Sequence, residues 1–148
     1  MGGRPPDRSV RNAGVRLLFV ASFDTARLGD VRRHVDQVAR GCGLDADTRA
    51  DFVTAVNEMM TNAIRHGGGR GELRLTVADR ISCEVRDHGP GFAAEDYVDR
   101  RDRPSPSPDG GMGLWIVQRT TETMAIESGP TGTTVRISAS LPAADRTG

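Results

Sequence analysis

Val56-Asn57-Glu58-Met59-Met60-Thr61-Asn62-Ala63-Ile64-Arg65-His66 is the stretch whose reading decides the fold. Phe52, Val53, Val56, Met59, Met60, Ala63 and Ile64 recur at three-and-four spacing, which predicts an amphipathic helix with a broad apolar face turned to a core. Glu58, Asn62 and His66 are each four residues from the next, so they stack as a separate polar stripe beside that face. A carboxylate and a carboxamide at the margin of a core are costly unless something binds them. A solvated helix face accounts for the same residues more plainly. The helix runs into Gly67-Gly68-Gly69, however, and two more glycine-rich stretches follow. The question becomes whether all three meet at one ligand.

The chain has 148 residues, enough for one domain with its own core and small for two. Twenty basic residues balance twenty acidic ones, so the global field does not favour nucleic acid or an anionic membrane as a main partner. Every basic residue is Arg. That removes a Schiff-base lysine and a Walker-type P-loop lysine together. Cys42 and Cys83 give neither metal-ligand spacing nor a disulfide framework, and a reduced, cytoplasmic setting is expected. The longest apolar run, around Leu17 to Val20, is far short of a membrane span and lacks the flanks of a signal peptide.

Residues 1–12 are rich in Gly, Pro, Arg and Asp and read as a disordered leader; the domain is expected over 13–142, with a tail at 143–148. Val15, Leu17, Phe19, Ala21 and Phe23 alternate as a first strand. Asp24 or Thr25 then caps a helix with Leu28, Val31, Val35 and Val38 in one stripe, ending near Gly41-Cys42-Gly43. His34 sits on its charged side and reads as solvated. Asp45 or Asp47 caps the second helix, which runs to about His66. Leu73, Leu75 and Val77, then Ile81, Cys83 and Val85, form a hairpin about Asp79-Arg80.

Asp87 continues the inward phase of that second hairpin strand. An inward carboxylate needs a partner. It either folds back on the amides of His88-Gly89-Pro90-Gly91 as an Asx turn, or accepts from an outside donor such as a purine amine, with Gly89 and Gly91 letting the backbone approach. From about 92 to 110 the chain has no hydrophobic period and many prolines, and reads as a lid. Asp109-Gly110-Gly111-Met112-Gly113-Leu114 then feeds a helix. Such a start presents free amides and the positive dipole end to phosphate, or else is a hinge. Met124, Ile126 and Ser128 suggest a short strand, and Val135, Ile137, Ala139 and Leu141 a last one with Thr133 in its inward phase. This order predicts an α+β two-layer sandwich, a mixed but mostly antiparallel sheet with helices on one face.

Glu58 to Gly67, Asp87-His88-Gly89-Pro90-Gly91-Phe92 and Gly111-Met112-Gly113-Leu114 resemble, in order and spacing, the three nucleotide-binding boxes of the GHKL ATPase superfamily. Gly132-Thr133-Thr134-Val135 matches that family's final strand. The resemblance covers roughly residues 15 to 141 and is strongest to the stand-alone bacterial anti-sigma-factor serine/threonine kinases. It implies a Bergerat-type fold with an ATP lid, bound ATP and Mg²⁺, and as partners a sigma factor and an anti-anti-sigma protein of STAS type. Homodimers are common in that family.

Carried over residue by residue, the resemblance implies Glu58 as general base and Asn62 as Mg²⁺ ligand, with His66 at the end of the same box. Asp87 would accept from the adenine amine, and Gly89 and Gly91 would shape the purine pocket. Gly110, Gly111, Met112, Gly113 and Leu114 would bring amides to the phosphates, and Thr133 would lie near the base. One of Arg100, Arg101 or Arg103 is left as a lid cation for the γ-phosphate, against the plainer reading of each as part of a solvated charged loop. Histidine kinases carry their phosphoacceptor in a separate helical hairpin, and none is expected before residue 15, which leaves His34 a poor acceptor. Two other readings stay open: a nucleotide-binding module that sequesters a sigma factor or another regulator without phosphoryl transfer, and a degenerate domain that binds no nucleotide.

Overall fold

A computed structural model of the protein describes residues 14–89, 117 and 123–142. Five strands form one sheet: β1 (Arg16–Asp24), β2 (Arg70–Val77), β3 (Arg80–Arg86), β4 (Thr123–Gly129) and β5 (Gly132–Ser140). Two helices, α1 (Leu28–Gly41) and α2 (Ala46–His66), lie between β1 and β2 in the chain. The spatial order is β1-β2-β3-β5-β4, and every pairing is antiparallel. The expected mixture of strand directions is therefore absent among the described residues.

Period-two alternation places the apolar set on one face. Leu75, Cys83, Ile137 and Met124 are register partners across four strands, and Leu73, Val85, Val135 and Ile126 form the next row. Onto these rows pack Val31, Val35 and Ala39 of α1 and Phe52, Val56, Met59, Met60 and Ala63 of α2, all in one buried cluster. Val117, which is helical, is fully buried in the same cluster. Each fully buried aliphatic side chain contributes about 1.5–3 kcal/mol. The other face is polar, with Arg136 donating to Glu84 at 2.6 Å, so it needs no covering layer.

Two local expectations change. The register slips between Leu17 and Phe19, which keeps Phe23 buried but leaves Val15 and Leu17 exposed. A bulge of this kind moves every residue before it to the other phase. At α1, neither Asp24 nor Thr25 is the cap. Arg27 occupies the boundary, and Asp24 Oδ1 instead accepts from the Arg27 amide at 3.0 Å, closing the turn before the helix. For α2 the expected Asp45 is the cap, its side chain accepting from the Thr48 amide at 2.7 Å. That contact lowers the Asp45 pKa, because the hydrogen bonds favour the ionised form.

His34 is exposed, as expected, but its ring is stacked on Phe19 with centroids 5.3 Å apart, and Nδ1 bonds the Asp30 carbonyl. Cys83 is a buried core residue whose thiol pKa is pushed far up by desolvation.

Candidate functional site

The end of α2 meets the ends of β3 and β5 almost backbone to backbone. Gly67 closes α2 through its amide to the Ala63 carbonyl at 2.7 Å, and Gly68 and Gly69 then take φ of 91° and 86° to turn the chain into β2. A β-carbon at position 67 would collide with Cβ and Cγ of Asp87. One at Gly89 would lie 2.5 Å from the Gly67 α-carbon, and one at Gly132 would strike the Asp87 carbonyl. Three main-chain segments far apart in sequence therefore touch because none carries a side chain there.

Asp87 sits at the centre of this junction and is only 8% exposed. Its Oδ1 accepts from the Gly89 amide at 3.0 Å and the Thr133 amide at 3.1 Å. Its own amide donates to the Thr133 carbonyl at 2.9 Å. The Asx turn is thus present, extended by a second strand. Both bonds fall on Oδ1, leaving Oδ2 uncommitted among the described residues. The Thr133 hydroxyl lies 2.7 Å from that of Ser128, which links β4 to the same network.

Along α2, Glu58, Asn62 and His66 are half-buried and rise about 6 Å per step towards this junction. Asn62 Nδ2 and His66 Nε2 are buried without a hydrogen-bond partner among the described residues. Such orphaned groups are rare in folded proteins and mark places where a missing partner belongs. Asn57 Oδ1 is orphaned too. A groove of about 440 Å³ also borders Asp87, but Arg86 and Thr134 from the outer sheet face line it, so it opens on the opposite side from the α2 stripe.

The structure thus brings the His66 backbone, Asp87, Gly89 and Thr133 together at one end of the sandwich, with Asn62 and Glu58 one and two turns back along α2. Gly91, Gly110, Gly111, Met112, Gly113, Leu114 and the lid at about 92–110 lie outside the described residues. Sequence reasoning quoted Gly67 and Gly132 only as ends of the matching segments and gave them no role of their own, whereas they are close-contact points of this junction. Their signal was available only as glycine at a helix end and at a strand start, which ordinary turns share.

The profile of the histidine kinase-like ATPase domain matches residues 21–139. The chain belongs to that family. It is 38% identical over 89 residues to sensor histidine kinase component HK1 of Mycobacterium tuberculosis (strain ATCC 25618 / H37Rv), covering 54% of this chain and 50% of that protein. It matches a probable sensor histidine kinase HK of strain CDC 1551 / Oshkosh at the same identity, covering 22% of it. The aligned part is therefore half or less of the length of these relatives.

Among solved structures, the RsbU and RsbW domains of Rv1364c from Mycobacterium tuberculosis superpose with a TM-score of 0.61 at 19% identity, over 84% of this chain and 33% of that one. The mycobacterial sensor histidine kinase MprB gives 0.53 at 19% identity, over 83% and 98%. At such identities these establish the fold: a GHKL-type, Bergerat-type α+β sandwich. ATP binding follows from the family.

Among the described residues no helix is long and apolar enough to cross a membrane.

Proposed function

We propose that this domain binds Mg·ATP and transfers the γ-phosphoryl group to a serine or threonine hydroxyl of an anti-anti-sigma partner of STAS type, holding a sigma factor in the alternative complex. The observation that carries the reading is the run of Glu58 and Asn62 along one stripe of α2 towards the buried Asp87. An RsbW domain in the structural neighbour supports it at the level of fold.

In this reading Asp87 recognises adenine through the uncommitted Oδ2, with Thr133 holding its other oxygen. A base without an exocyclic amine would leave that carboxylate oxygen unpaired, which disfavours it. Glu58 orients the attacking hydroxyl and takes its proton. The hydroxyl oxygen bonds to the γ-phosphorus as the bond to the bridging oxygen breaks, and ADP leaves. Phosphoryl transfer asks mainly for positioning and charge neutralisation, so few groups suffice.

The donor set fits Mg²⁺. Asn62 offers one hard amide oxygen on the stripe, and Glu58, one helical turn away, is kept for the attacking hydroxyl. That suits an ion held by one or two side chains and otherwise by phosphates and water, rather than one caged by protein. Asn62 would hold it through Oδ1, where the ion would neutralise phosphate charge.

The 38% identity to two sensor histidine kinases favours a second reading, in which the acceptor is a histidine. A third keeps nucleotide binding without transfer. Incubation with γ-labelled ATP and candidate acceptors separates them. Acid-stable, alkali-labile label on a STAS-type protein, abolished by Glu58→Ala with ATP binding retained, supports the proposal. Acid-labile label supports the histidine reading. ATP binding without transfer to any acceptor leaves the sequestering module.

A further inference from the structure

One groove on the described surface lies away from the nucleotide stripe. It measures about 590 Å³ and runs between α1 and α2, lined by Arg32, Arg33, Asp36, Gln37, Arg40 and Val53. At 100° per residue, Val53 stands on the opposite flank of α2's apolar face from Glu58, Asn62 and His66. The groove and the stripe therefore face away from each other.

We infer that this groove docks an acidic segment of a partner protein. Its charge is uneven although the chain as a whole is neutral. Of the nearby carboxylates, Asp36 is held by Arg49 at 3.1 Å, and Arg49 also donates to the Leu44 carbonyl, so that pair belongs to the wall. Asp30 pairs with Arg33, but both side chains are about two-thirds exposed. Exposed pairs of this kind are worth only about 0–1 kcal/mol, so an incoming carboxylate can replace Asp30 at little cost. Arg32 and Arg40 have no ion-pair partner among the described residues.

Arg33 and Arg40 share one face of α1 about 10 Å apart, with Gln37 between them. That spacing suits carboxylates two turns apart on a helix. Guanidinium groups bind carboxylates bidentately, and Val53 supplies an apolar floor for the side chains between them. A nucleic-acid backbone fits worse, because Asp36 lies on the same stripe and would face a continuous run of phosphates.

The test uses the full chain and a short fluorescein-labelled helical peptide with Glu two turns apart and Leu between them. Its counterparts are the same peptide with Gln for Glu and a single-stranded oligonucleotide. Anisotropy should show the Glu peptide binding, weakening as salt rises. The double variant Arg32→Gln, Arg40→Gln, which removes no ion pair among the described residues, should bind at least tenfold more weakly while staying folded and keeping its melting-temperature shift with Mg·ATP. Absence of binding, equal binding of the Gln peptide, equal binding by the variant, or tighter binding of the oligonucleotide would each overturn the inference.

Discussion

Replacing Gly67 by Ala puts two effects in opposition, and the structure decides between them. The backbone φ at Gly67 is −112°, open to any residue. By conformational entropy alone the substitution should stabilise by about 0.4–1 kcal/mol. The added carbon, however, would lie 2.5 Å from the Ala63 carbonyl oxygen and nearer still to Asp87. Neither neighbour yields easily, since one is helix backbone and the other is fixed by the Gly89 and Thr133 amides. Overpacking of this sort costs about 1–3 kcal/mol. Weakening one amide bond to a charged carboxylate adds roughly 1.5–3 kcal/mol. The net is a loss of about 2–5 kcal/mol, which for a domain of this size lowers the melting temperature by on the order of 10 °C. Displacing Asp87 should also weaken ATP binding on the order of tenfold.

Gly68→Ala is the matched control. Its φ of 91° costs about 1–2 kcal/mol, but nothing stands within 4 Å of the new carbon. That variant should lose stability and keep its affinity for ATP. Scanning calorimetry and titration calorimetry on both proteins read the two quantities separately. An unchanged or higher melting temperature for Gly67→Ala, or equal ATP affinity in the two variants, refutes the reasoning.

Three further outcomes are expected. Asp87→Asn keeps an acceptor for the Gly89 and Thr133 amides but loses its charge, so titration calorimetry should show ATP affinity down at least tenfold, by about 1.4 kcal/mol or more, with the fold retained. Leu75→Ala, at a fully buried point of the inner face, should lower unfolding free energy by about 2–5 kcal/mol in urea titrations without changing nucleotide specificity. Burial raises the Cys83 thiol pKa far above its unfolded value, so its contribution to stability is complete below about pH 8.5 and declines as pH rises beyond that. Urea midpoints should fall on the alkaline side, less steeply in Cys83→Val, and Cys83 should resist thiol reagents until the protein unfolds.

Much of the fold was legible because local periodicity is a local property. The stripe from Phe52 to Ile64, the Asp45 cap and the alternations from Leu73 to Val85 each need only near neighbours to declare a helix, its start and a hairpin. The reading went astray where the outcome depends on partners across the sheet. A bulge between Leu17 and Phe19 cannot be seen in an alternating run, because only pairing with β2 sets which phase is buried. The α1 start was misplaced for a related reason: Asp24 had two turns it could close, and the chain path chose the earlier.

For the site, residue types and order by themselves determined that a carboxylate, a carboxamide and an inward Asp precede spaced glycines, and it was the family resemblance of those boxes that named nucleotide chemistry. Only the tertiary structure decided that Gly67, Gly89 and Gly132 are contact points rather than mere turns. Likewise only the fold shows one oxygen of Asp87 held by two amides from separate segments, and a basic groove on the far flank of α2. The physical reason is that hydrophobic pattern and propensity act over a few residues. Steric exclusion and hydrogen-bond satisfaction, by contrast, are properties of whichever distant segments the folded chain brings into contact.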